Sequence, residues 1–149
     1  MAKYYNQSGF TLVEMLIVLS LFMTIFVVTL PLNDDVYEKL EVRQFLDTLE
    51  MDILYMQNYT ITYQSEVRLV FQPDNHSYHL IDTKRQVKLM ERSYPRTIEL
   101  NLNVFPTRFA FNLTGTLRTP GSFLVNTRAE SYKVTFPFGK GRFYVTKQS

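Results

Sequence analysis

Few side chains in this sequence are of a type that does chemistry, and their spacing decides how far each can go. His76 and His79 are the only histidines, and there is no cysteine. Two imidazoles three positions apart, in a turn-to-strand stretch, need a third ligand to hold a metal, and no Glu/Asp/His cluster accompanies them. They read as surface histidines. Ser122 and Ser131 lack the base and orienting acid that activate a hydroxyl. Gly139-Lys140-Gly141 follows a strand-like run but opens no helix, so it reads as a hairpin turn and not as a phosphate cradle. Asn58-Tyr59-Thr60 and Asn112-Leu113-Thr114 fit an acceptor pattern that arises often by chance. The reading expects no catalytic residue, no metal and no cofactor. One charge stands out instead. Glu14 is the single ionisable side chain between Phe10 and Leu32, in the run FTLVEMLIVLSLFMTIFVVTLPL. A carboxylate there is costly in a bilayer or in a core unless something offsets it.

The element that positions Glu14 is therefore the first one to place. From Met15 to Leu32 there are 18 residues without a charge. Roughly 20 apolar residues in a helix cross the hydrocarbon core of a bilayer, so 10–32 is expected as a single-pass membrane helix. Lys3 precedes it and Asp34, Asp35 and Glu38 follow, which puts the N-terminus on the cytoplasmic side. A cleaved secretory signal has a shorter apolar run followed by small residues, and LPLNDD offers no such site. A plain signal anchor explains the run but leaves Glu14 without a reason.

Gly9-Phe10-Thr11-Leu12-Val13-Glu14 resembles the processing site of type IV pilins and pseudopilins, G-F-[ST]-L-x-E at the head of an apolar helix. The resemblance implies a leader over 1–9, removed by a membrane prepilin peptidase that cuts between Gly9 and Phe10, and N-methylation of the new terminal Phe10. It also implies a task for Glu14, which meets the N-terminal amine of a neighbouring subunit during assembly. Two buried charges that compensate one another set a register more than they add stability. Pro31 lies near where many pilins carry a kinking proline. It either bends the helix by removing a backbone hydrogen bond or ends it ahead of NDD, which would cap a second helix.

After the apolar run the pattern stays helical. Val42, Phe45, Leu46, Leu49, Ile53 and Met56 recur at steps of three and four, with Glu41, Arg43, Gln44, Asp47, Thr48, Glu50 and Asp52 on the other face. The helix is expected to fade near Thr60-Ile61-Thr62. Beyond Gln64 the period becomes two, with strands expected over 66–72, 77–82, 86–92, 97–105, 108–113, 122–127, 132–138 and 142–147. The expected fold is α+β: a long N-terminal helix, half membrane-spanning and half amphipathic, packed on an antiparallel β head over 33–149. With 46% hydrophobic and 20% charged residues, 12 Phe and 10 Tyr, such a head has enough apolar material for one core.

The segments FNLTGTLRTPGSFLV and YKVTFPFGKGRFYV are similar to the heads of minor pseudopilins, those of Gram-positive competence systems foremost. That branch implies a subunit of a competence pseudopilus serving DNA uptake, at the membrane and the cell surface, with the other pseudopilins and prepilin peptidase as partners. Export of proteins by a type II secretion pseudopilus is the alternative. A second alternative comes from charge. Seven bases against one acid over 101–149 contrast with seven acids against two bases over 33–65. Arg108, Arg118, Arg128, Lys133, Lys140, Arg142 and Lys147, interleaved with aromatics, have the composition of a DNA-contacting surface. The aromatics alternate with polar residues, which turns most of them inward.

Overall fold

The computed structural model describes residues 9–28, 34–138 and 142–148. Pro31 and the Gly139-Lys140-Gly141 turn lie outside the described residues. The chain divides into two units between Asp34 and Asp35. The first contains helix α1, Leu12–Val28. The second contains helix α2, Asp34–Tyr63, apart from its first residue, and all the β-structure.

The periodicity of α2 does what it predicts. Val42, Phe45, Leu46, Leu49, Ile53 and Met56 are all buried, and the stripe runs on to a buried Thr60. The helix carries on past the β-branched Thr60-Ile61-Thr62, because the Thr60 hydroxyl accepts from the Val67 N–H at 3.4 Å and ties it to the first strand. Gln64 ends it in the left-handed region, φ 49°. Asp52 departs from the reading. It was placed on the solvated face, yet it is buried, accepting from the Tyr78 hydroxyl at 2.8 Å and from the Arg92 guanidinium at 3.1 and 3.3 Å. A partner 40 residues along the chain offsets the cost of burying the charge.

The head is built from two four-stranded antiparallel sheets. The strands are β1 Val67–Gln72, β2 Ser77–Asp82, β3 Val87–Ser93, β4 Glu99–Asn101, β5 Arg108–Ala110, β6 Gly121–Asn126, β7 Ser131–Phe136 and β8 Tyr144–Gln148. The first sheet has the order β3-β2-β1-β5 and the second β4-β6-β7-β8. Register is set by alternation. Val67, Leu69 and Phe71 face inward on β1 and Phe123 and Val125 on β6, and a slip of one residue would expose each row. These rows and the α2 stripe form one core. Phe71 of the first sheet meets Phe123 of the second edge-on at 5.4 Å, and Phe105 stacks on Phe136 at the same distance.

Two expected strands are cut short by their own turn chemistry. The run 97–105 pairs only over β4, because the Asn101 side chain accepts from the Asn103 N–H at 3.2 Å and Asn103 turns left-handed. The run 108–113 pairs over β5 and, beyond it, through a single bridge from Phe111 to Leu117. Asn112 folds back on the Thr116 N–H at 2.8 Å, and Gly115 sits at φ 81° with room for no side chain beside Ile61.

Candidate processing and assembly segment

Helix α1 begins with a reciprocal cap. The Thr11 N–H and hydroxyl both donate to Glu14 Oε2, at 2.8 and 3.0 Å, while the Glu14 N–H points back to the Thr11 hydroxyl at 3.3 Å. This is a capping box, which satisfies two helix-end donors at once. The T-x-x-E spacing ahead of an apolar run was available in the sequence as its signature, and Thr11 is the residue that the reading missed. No described residue donates to Glu14 Oε1. The polar side chains farther along are satisfied within the helix. Ser20 donates to the Ile17 carbonyl and Thr24 to the Ser20 carbonyl, each at 2.8 Å.

The rest of α1 is apolar on every face. Leu12, Val13, Met15, Leu16, Ile17, Leu19, Leu21, Phe22, Met23, Ile25 and Phe26 are all exposed, with no face turned into a core. Among the described residues nothing lies within 4 Å of where a Gly9 Cβ would be, and Phe10 is 83% exposed. Among the described residues no helix is long and apolar enough to cross a membrane; α1 covers 17 residues of the expected span, and the stretch toward Leu32 lies outside them.

Among the described residues, two of the basic residues singled out in the head are ion-paired. Arg118 bonds Glu66 at 2.9 Å, and Lys147 bonds Glu130 at 2.8 Å. Arg108 is on the edge strand β5, Arg128 in the β6–β7 turn and Arg142 ahead of β8. Lys133 lies half-buried on β7, and Lys140 is outside the described residues. Phe109, Phe111, Phe123 and Phe136 are core, as their alternation required. Glu130 instead gathers cations into a clamp. It takes Lys147 of β8, Lys39 of α2 at 3.2 Å and the Tyr132 hydroxyl, and these hold its carboxyl down to about 2. His76 and His79 are half-buried rather than on the surface; His76 closes a left-handed turn against the Tyr94 ring. Among the described residues no group of three or more His, Cys, Asp or Glu is placed to hold a metal ion.

A capped, all-round apolar helix in one unit and a helix packed on antiparallel sheets in the other make an α+β fold of the pilin-like kind. The prokaryotic N-terminal methylation motif matches residues 4–30. Competence protein ComGD of Bacillus subtilis (strain 168) is 29% identical over 146 residues, 98% of each chain. The fold is also that of two solved structures. The minor pseudopilin EpsH from the type 2 secretion system of Vibrio cholerae superposes with a TM-score of 0.57 at 11% identity, over 72% of this chain and 97% of its own. The type IV minor pilin FimU of Pseudomonas aeruginosa gives 0.61 at 13% identity, over 73% and 90%.

Proposed function

We propose that this chain is a minor pseudopilin of a competence system, a structural subunit of the surface filament that serves DNA uptake. The observation that carries the reading is the pairing of a methylation motif on a capped apolar helix with a head similar, over nearly the whole chain, to a competence protein. The solved neighbours come from a secretion system and a type IV pilus, but at 11% and 13% identity they speak to fold alone, so the secretion reading is not favoured.

In this reading residues 1–9 are a leader, 10–32 the membrane and assembly helix, and 33–149 the amphipathic helix and head. Prepilin peptidase cuts the Gly9–Phe10 bond at the cytoplasmic face, and Phe10 is then methylated. Apolar side chains on every side of α1 suit lipid first and the helices of other pseudopilins afterwards. Glu14 reaches that surroundings with Oε2 held by Thr11 and Oε1 open. The amine of a neighbouring Phe10 is a cation of the right size and sign for the open oxygen.

Co-expression of the full chain with a prepilin peptidase, followed by intact-mass measurement, tests this. Loss of residues 1–9 and gain of one methyl on Phe10 is the expected result. Glu14→Ala should still be cut yet fail to enter filaments. An uncut chain beside a processed control pilin would sink the assignment.

A further inference from the structure

The end of the head where α2 finishes carries an aromatic column. Tyr55, Tyr59 and Tyr63 recur every four residues and so lie one above another. Ring centroids are 6.0 Å apart in the first pair and 4.5 Å in the second. Arg85, from the β2–β3 turn, lays its guanidinium over the Tyr63 ring, 5.7 Å from the centroid, and donates to the Tyr59 hydroxyl at 3.1 Å. The core does not claim the outer rings: Tyr55 is 43% and Tyr63 55% exposed.

The column is held from beneath. Buried Asp82 accepts from the Ser65 hydroxyl at 2.6 Å, the Tyr59 hydroxyl at 3.2 Å and the N–H groups of Lys84 and Arg85 at 3.0 Å each. Those bonds fix the 83–86 turn against α2, and Gln86 closes it in the left-handed region. The Asp82 carboxylate also lies 3.9 Å from the Arg85 guanidinium and pairs with it. Nearby, Arg68 and Arg118 share the one carboxylate of Glu66, each at 2.9 Å. Lys84 is exposed with no acidic partner among the described residues. This end of the head therefore joins rigid, exposed rings to a surplus of positive charge.

We propose that the Tyr55–Tyr59–Tyr63 column with Arg85 is a stacking platform for unpaired bases of DNA, with Arg85 and Lys84 taking the phosphates. The inference rests on the competence reading. Stacked aromatics accept any base, since every base has a π-face, and arginine planes extend such stacks.

The test is fluorescence anisotropy of full-length protein in detergent micelles, with labelled single-stranded oligothymidine and a duplex of equal length. Single strands should bind more tightly. Tyr63→Ala and Tyr55→Ala should each weaken binding roughly 5- to 150-fold, the range for one lost base stack. Tyr63→Phe, which keeps the ring, should retain binding, and Arg85→Gln should lower the slope of log affinity against log salt by about 0.7. Equal affinity for duplex and single strand, or alanine variants that stay folded and bind normally, would overturn the proposal. Transformation assays separate its failure from that of the competence reading. If a strain lacking this chain transforms normally, the competence reading falls. If that strain is defective and the doubly alanine-substituted chain restores it fully, only the platform falls.

Discussion

The two helices of this chain solve opposite problems with similar letters. Helix α1 is apolar on every face, and its described apolar side chains are exposed; α2 gathers one stripe of apolar residues into the core and leaves others, such as Val36, Leu40 and Met51, outside it. The first satisfies its single carboxylate within one turn, through Thr11. The second reaches across the fold to satisfy Asp52, through Tyr78 and Arg92. The difference separates a surface meant for something outside the molecule from one consumed by the molecule itself. A helix without a polar face has no stable place on the surface of a soluble domain. A helix with one stripe has a head to hold together.

Substitutions can break that contrast. Leu49 is fully buried, so Leu49→Ala should cost the head about 2–5 kcal/mol in urea unfolding. Leu16→Ala, in α1, should move the same transition by no more than about 0.5 kcal/mol. Comparable losses at both sites would mean that α1 is part of the head's cooperative unit. Gly115→Ala comes next. A Cβ there would lie 2.7 Å from the Ile61 side chain at a φ of 81°, so a loss of about 1–2 kcal/mol is expected. Thr11→Val should remove about 1 kcal/mol from the start of α1, seen as faster amide exchange over the first turn with the head unchanged.

The smallest effect is electrostatic and belongs to the head alone. Lys147, Tyr132 and Lys39 pull Glu130 down to about 2. A depressed carboxyl stabilises the fold in full above its ordinary value of 4.5, and that contribution fades as pH falls through about 2. Glu130→Gln should therefore be less stable than the parent at neutral pH, and the two should converge toward pH 2. A gap that stays constant with pH would assign the residue a packing role instead of a charged one.

What the sequence made legible follows from range. The α2 stripe and most strand positions depend on period, which neighbours enforce, and they appear where expected. The processing motif and the T-x-x-E cap are equally local. Asp52 could not be placed from pattern, because its burial depends on Arg92, which a strand of the first sheet brings to it. The division into two sheets was hidden for the same reason. Strands of either sheet alternate alike, and the connections at 94–98, at Asn103 and at Asn112 send the chain from one to the other. The tyrosine column was visible as a spacing but had no meaning until the 83–86 turn laid Arg85 on it.

The cap on α1 also has a kinetic side. A free glutamate gives up roughly 1.5–2 kcal/mol of rotamer freedom when it is fixed. Thr11 has already fixed Glu14, so on the proposed reading a neighbouring subunit would find an oriented oxygen, and docking there would ask for a fit and very little rearrangement.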